Sequence, residues 1–283
     1  MMIRTFAPAK LNLCLHVTGV RRDGYHLLDS LVMHVDVGDQ IWVDDSDHLT
    51  LSISGPFDKE IPIGPENLVL RAASLLSNDQ GAQILLEKNL PPAAGIGGGS
   101  SDAAATVRGL CLLRQTPKPD LNSLVSLGAD VPVCMTAELT RLRGVGEKLD
   151  FLGAPPELAF VLINPRIGVS TNQVFAALEI KSNSGLRDDM PDPSDLDEWL
   201  VWLNSQRNDL EQPASIIAPV ILNVLDALKA LPKAMLVRMS GSGATCFAIM
   251  RDRKSAKEAA ANLQRAHPSW WVKDAATCFK NFR

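Results

Sequence analysis

The chain has one tyrosine, no basic tract, no long uninterrupted apolar run and no Cys-x-x-Cys pair. Each shortage excludes something. With 28 Lys and Arg against 32 Asp and Glu, the formal net charge is −4. Phosphate backbones are gripped by clustered cations, so nucleic acid is not expected as the main partner. A local basic spot for one small phosphorylated ligand stays compatible with that balance. The short, broken apolar runs leave no room for a membrane-spanning helix. The opening Met1–Lys10 stretch holds Pro8 and Lys10 where a signal peptide needs an apolar core, so a cytoplasmic location with no membrane partner is expected. The cysteines (Cys14, Cys111, Cys134, Cys246 and Cys278) are odd in number, and each sits among apolar neighbours. That predicts buried free thiols rather than disulfides or metal ligands. The 5 histidines are scattered without metal-binding spacing.

What is present suits a globular protein. Its 283 residues suffice for one large domain or two moderate ones, and 46% hydrophobic residues supply a sizeable core. Ile3–Phe6 and Leu11–Thr18 read as strands. In the second, Leu11, Leu13, Leu15 and Val17 alternate with Asn12, Cys14, His16 and Thr18, the period of a half-buried strand. Further strands are predicted over Leu28–Val37, Gln40–Asp44, Leu49–Ser54, Gln83–Lys88, Leu158–Ile163, Met235–Met239, Thr245–Met250 and Trp271–Ala275. Helices are predicted over Asn67–Leu76, Ser101–Leu113, Leu121–Leu127, Thr171–Leu178 capped by Thr171, part of Leu210–Leu231, and Ser255–Ala266. Ser182–Asp195, rich in Ser, Asp and Pro, reads as a surface loop. Composition changes around Gly153-Ala154-Pro155-Pro156. Interleaved helices and strands on either side predict an α+β protein of two layered domains, 1–154 and 155–283.

The stretch Pro91–Asp102 carries the strongest chemical signal. It reads Pro-Pro-Ala-Ala-Gly-Ile-Gly-Gly-Gly-Ser-Ser-Asp and runs straight into Ala103-Ala104-Ala105. Glycines let backbone N–H groups turn toward an anion, and the helix behind adds free N–H groups and a positive dipole end. A flexible linker would seldom enter so strong a helix former. A Walker loop needs Gly-Lys-Ser/Thr, and no lysine is present here. A dinucleotide fingerprint needs a third glycine where Ser100 stands. The loop is therefore a phosphate cradle of another kind, with Ser100 and Ser101 as hydroxyl donors.

Pro91–Ser101 resembles the central motif of the GHMP kinase superfamily. Four further blocks resemble, in order, the members that phosphorylate a cytidine-diphosphate-linked methylerythritol in the non-mevalonate route to isoprenoids. They are Pro8–Leu13 with Gly24-Tyr25-His26, Leu127–Pro132, Asn208-Asp209-Leu210, and Ser240–Phe247. Ala93 and Ala94 stand where the family often has glycine, and Ile96 replaces its usual leucine. The resemblance implies an N-terminal ribosomal S5 domain 2-like domain with the ATP loop and catalytic residues. It also implies a C-terminal ferredoxin-like domain completing the substrate cleft.

The roles it implies are specific. Asp130, which on spacing alone reads as a turn residue before Val131-Pro132, becomes the general base, and Lys10 its partner. ATP is held by Pro91, Gly95, Gly97, Gly98, Gly99, Ser100 and Ser101, with Asn67, Leu68 and Lys88 around adenine. Tyr25 and Phe175 sandwich cytosine, although Phe175 also reads as ordinary core. Asn12, His26 and Thr171 complete the substrate site. Mg²⁺ is expected with ATP, through phosphates and the two serines, and its protein ligands are not assigned. Asp102 is a candidate helix cap, and Gly241–Gly243 a tight hairpin or a closing turn. Two alternatives stand: a related kinase of homoserine or mevalonate, and a non-catalytic nucleotide-binding module. Gly24-Tyr25-His26 argues against the first, and Lys10 with Asp130 against the second.

Overall fold

The computed structural model describes residues 2–76 and 80–279. Its strands form two sheets. The first contains β1 (Ile3–Val20), β2 (His26–Ser46), β3 (Thr50–Ser54), β4 (Gly81–Glu87), β5 (Thr140–Gly144) and β6 (Lys148–Phe151). Its order is β3-β4-β2-β5-β6, with β1 on the other edge of β2. Only β3 and β4 run parallel within it. The second sheet contains β7 (Ala159–Asn164), β8 (Ala234–Met239), β9 (Cys246–Met250) and β10 (Trp271–Ala276), antiparallel in the order β10-β7-β9-β8. The α+β class is thus observed.

Two predicted strand pairs are single long strands. Pro8 does not end β1. It pairs opposite Gly38, and the register shifts between Pro8 and Lys10, so the missing N–H falls at a bulge. Lys10 then pairs with His34. The period in β1 also misleads about burial. Asn12, Cys14 and His16 are as buried as the leucines between them, because both faces of the strand are covered. One core, around Leu11, Leu13, Phe160, Phe247 and Trp199, lies between the sheets. Another includes Leu15 and Val17 at the far end of β1, together with Val161, Val224 and Ala256.

The helices α1 (Leu68–Leu76) and α2 (Gly98–Arg114) cover the first sheet over Ile41, Val43, Ile84 and Leu86. α3 (Leu121–Val125) follows. Around the second sheet lie α4 (Thr171–Ala176), α5 (Leu196–Asn204), α6 (Glu211–Ile217), α7 (Val220–Lys229) and α8 (Arg253–Ala266). Pro213 sits in the first turn of α6 and Pro219 just before α7, where neither removes a needed N–H.

The hairpin β5–β6 and the helix α5 lie in segments where no element is predicted. Arg141, Arg143, Lys148 and Asp150 give the hairpin a polar outer row that hides its period. α5 announces itself only by Trp199, Leu200, Trp202 and Leu203, all buried, behind an Asp195 cap. The 182–195 loop has no helix or strand but is tied down. Asn183 N donates to Val17 O at 2.9 Å, and Leu186 N to Asp29 Oδ2 at 2.9 Å. All five cysteines are free and buried. Among the described residues, no helix is long and apolar enough to cross a membrane.

Gly38 faces the bulge that sets Lys10. A Cβ there would lie 2.2 Å from the Ala7 carbonyl oxygen. Gly38→Ala is expected to lower stability by about 2 kcal/mol or more, because backbone rather than a flexible side chain must yield. Urea unfolding checks this, and an unchanged midpoint would show that the bulge tolerates the methyl group.

Candidate active site

The phosphate loop is built by positive φ angles and close packing. Ala93, Gly95 and Gly97 have φ of 48°, 72° and 64°. Gly95 needs to be glycine, since its Cβ would stand 2.4 Å from Ser240 O. Ala93 adopts the left-handed conformation at a cost glycine would avoid, so replacing the family's glycine leaves the loop's turn in place. α2 begins at Gly98, three residues before its predicted start, with Gly97 as its N-cap. The helix therefore points the free N–H groups of its first turn into the loop.

The loop is anchored on both sides. Lys10 N donates to Ile96 O at 2.9 Å, and Thr245 N donates to Ala94 O at 3.1 Å. Ser240 Oγ donates to Gly95 O at 2.9 Å and accepts from Asn12 N at 3.0 Å. The Gly241–Gly243 turn is thus a structural neighbour of the loop as well as a hairpin.

A cavity of about 600 Å³ lies over this loop. It gathers most of the predicted site residues. Pro91, Gly95, Gly97, Gly98, Gly99 and Ser100 form one side, and Asn67, Leu68 and Lys88 flank it. Lys10, Asn12, Asp130, Thr171 and Phe175 line the remainder, with Gly241 and Ser242 beside them. Ser101, Tyr25 and His26 are not on its lining. Ser101 is fully buried, and its hydroxyl has no hydrogen-bond partner among the described residues. Tyr25 is 65% exposed at the tip of the β1–β2 turn. Phe175 meets His26 rather than Tyr25, with ring centroids 4.6 Å apart in a stacked arrangement.

Lys10 Nζ lies 2.7 Å from Asp130 Oδ2. The lysine side chain is 5% exposed and the aspartate 37%, so the ammonium is enclosed while the carboxylate opens to the cavity. His34 is buried behind them. Burial, with the charges of Lys10 and Arg108, pushes its imidazole down to about 3, so it adds no charge of its own at neutral pH. Asn12 Nδ2 donates to Ser30 Oγ at 2.8 Å, whereas its buried Oδ1 has no partner among the described residues. Nor has the buried Nε2 of His26 among them. Burial and the nearby Lys181 charge lower the His26 pKa, leaving a neutral ring that can donate or accept.

Two predicted details, the caps at Asp102 and Thr171, are corrected. Asp102 does not cap α2; it lies inside the first turns, 2.6 Å from Lys88 Nζ. Thr171 does not cap α4. Ser170 holds that position, and the Thr171 hydroxyl meets Ser242 Oγ at 2.8 Å. Asn67 directs its amide inward, donating to Pro62 O at 2.7 Å and accepting from Val69 N at 2.9 Å.

The comparisons with known proteins agree in one direction. The family model "GHMP kinases N terminal domain" matches residues 67–138, and "GHMP kinases C terminal" matches residues 184–269. A relative from Ruegeria pomeroyi, named 4-diphosphocytidyl-2-C-methyl-D-erythritol kinase, is 50% identical over 273 residues, covering 96% of this chain and 98% of its own. One of the same name from Cereibacter sphaeroides is 48% identical, covering 97% and 99%. This chain belongs to the GHMP kinase family. A crystal structure of 4-(cytidine 5'-diphospho)-2C-methyl-D-erythritol kinase superposes on this GHMP kinase with a TM-score of 0.79 at 34% identity, covering 97% of this chain and 99% of that one. A homoserine kinase from Cytophaga hutchinsonii reaches 0.66 at 18% identity, covering 98% and 95%, a likeness of fold alone.

Sequence reading missed what holds this GHMP kinase's loop from below. Lys88 is 2% exposed. Its ammonium lies 2.5 Å from Asp39 Oδ2 and 2.6 Å from Asp102 Oδ2. Asp39 Oδ1 also accepts from Asn89 N at 2.5 Å and Leu90 N at 2.8 Å. Two carboxylates keep Lys88 charged despite burial. Burial pushes the Asp102 carboxyl well above its ordinary range against the pull of Lys88, and the Asp39 charge adds to the rise. The signal is one charged residue on each of three segments, which no spacing connects. Lys88→Met is expected to cost about 3–5 kcal/mol, because it strands buried carboxylates. Asp102→Asn should cost far less, since burial already pushes this carboxyl well above its ordinary range and a neutral amide can take its place. Urea unfolding of both variants measures the difference, and equal losses would contradict the assignment.

Proposed function

We propose that this chain transfers the γ-phosphoryl group of ATP to the 2-hydroxyl of 4-diphosphocytidyl-2-C-methyl-D-erythritol, a step in non-mevalonate isoprenoid precursor synthesis. The observation that carries the reading is the Lys10–Asp130 pair, 2.7 Å apart, in the same cavity as the N-terminus of α2. The names of the relatives supply the substrate. Residues 1–154 would form the catalytic domain and 155–283 the domain that completes the cleft.

The residues fit the chemistry. The acceptor hydroxyl oxygen forms a bond to the γ-phosphorus as the bond to the β-phosphate oxygen breaks, and ADP leaves. The hydroxyl proton passes to the exposed Asp130 carboxylate. Lys10 orients that carboxylate from a buried position, its ammonium 2.7 Å from Asp130 Oδ2. The loop N–H groups and the α2 dipole hold the phosphates as charge shifts toward the leaving ADP.

Among the described residues no cluster of three or more His, Cys, Asp or Glu could cage a metal. A Mg²⁺ ion would therefore rest mainly on ATP's own oxygens, where it would neutralise phosphate charge. Ser100, which lines the cavity at the start of α2, is a suitable protein donor.

For the cytosine, His26 and Phe175 form a stacked platform, with Phe175 on the cavity lining. Tyr25, held by Arg21 N donating to Tyr25 O at 2.7 Å, would close over the base from the turn.

Asp130→Asn should lower kcat by about 10²–10⁴-fold while ATP still binds, as expected for loss of a general base. A coupled ADP-release assay with parallel ATP titration measures both, and near-normal turnover would remove Asp130 from the mechanism. Tyr25→Ala should raise KM for the cytidine-linked substrate more than KM for ATP. Equal rises would argue against stacking.

A further inference from the structure

Arg166 follows β7 and has a φ of 59°. Few residues other than glycine settle in this left-handed region, and a long side chain gains nothing there from local conformation. Its backbone is nonetheless fixed. Arg166 N donates to Asn164 Oδ1 at 2.7 Å, and Asn164 Nδ2 donates to Thr245 Oγ1 at 2.9 Å. Thr245 N in turn donates to Ala94 O of the phosphate loop at 3.1 Å.

The side chain reaches the other way. Its guanidinium carbon lies 5.4 Å from the centroid of the Phe57 ring, and Nη2 lies 3.6 Å from Glu60 Oε1. Phe57 and Glu60 begin the segment that supplies Ile61, Pro62, Glu66 and Asn67 to the cavity. That wall is fixed at its ends, with Phe57 N donating to Lys88 O at 3.3 Å and Arg71 N to Asn67 O at 3.0 Å, while Ile63 between them is 70% exposed.

We propose that Arg166 is a positioning residue for ATP. It straps the 57–67 wall of the cavity to the phosphate loop, through its side chain on one side and the Asn164–Thr245 hydrogen bonds on the other. Its place in the left-handed region is what sends the guanidinium across to Phe57. The inference rests on reading the cavity as the ATP site. It adds a residue from the second-sheet half of the chain that acts on nucleotide affinity without touching the nucleotide.

Arg166→Gly and Arg166→Ala separate the strap from the backbone. Both remove the guanidinium, but only glycine relieves the left-handed conformation. ATP with MgCl₂ is titrated into the full chain by calorimetry, alongside thermal unfolding and steady-state kinetics. Both variants should bind ATP about fivefold more weakly, the scale of one cation–π contact with a partly exposed ion pair. Arg166→Gly should melt no lower than the parent and above Arg166→Ala. KM for ATP should rise by the same factor, with kcat and KM for the cytidine-linked substrate unchanged. Unaltered ATP affinity in both variants, or equal losses for ATP and the second substrate, would overturn the strap while leaving the ATP site intact. Absence of ATP binding by the parent would remove both readings.

Discussion

The structure is organised around one ion pair, Lys10 with Asp130. Lys10 comes from a strand buried on both faces, and Asp130 from a loop far along the chain. An ammonium enclosed to this extent is tolerable only with a charge partner and a fixed setting. The bulge at Pro8 and Gly38 sets where the lysine leaves β1, and Ile96 O accepts its backbone N–H. The same bond ties the lysine to the phosphate loop. Moving either feature moves the distance between the phosphate site and the carboxylate.

The loop itself cannot be rigid by composition, because glycines confer freedom as readily as they permit close approach. Its rigidity is borrowed. Ser240 joins Gly95 to Asn12, and Thr245 holds Ala94. Beneath α2, Lys88 is clamped between Asp39 and Asp102. These supports come from both sheets, so the Gly-rich loop and the Lys10–Asp130 pair share one frame. This is the preorganisation that phosphoryl transfer requires, since positioning and charge stabilisation carry most of its catalysis.

Lys88 shows how a residue can lie at a site in two senses. It lines the cavity, yet its ammonium is engaged by two carboxylates. Lining the cavity and supporting α2 are separable, and only the second follows from the bonds it makes. Asn67 behaves alike, with its amide binding Pro62 and Val69. His26 and Asn12 are the opposite case, each keeping one buried polar atom without a partner among the described residues.

The sequence by itself determined the α+β class, the Gly-rich loop running into a helix, the free buried cysteines and the family. These rest on local signals: hydrophobic period, glycine running into a helix former, and motif order. Tertiary structure alone decided the rest. Ile3–Phe6 and Leu11–Thr18 read as separate strands, but pairing between β1 and β2 joins them through a bulge at Pro8 and Gly38. Asn12 and His16 read as a solvent face, but Ser30 and Ser240 meet Asn12, and Ser184 and Arg207 meet His16. Asp102 read as a cap because a charge at a helix start usually is one, whereas burial beside Lys88 gives it another partner. Arg166 carried no signal at all. Its contacts join segments that lie far apart in the chain, and such contacts exist only once the two sheets have packed.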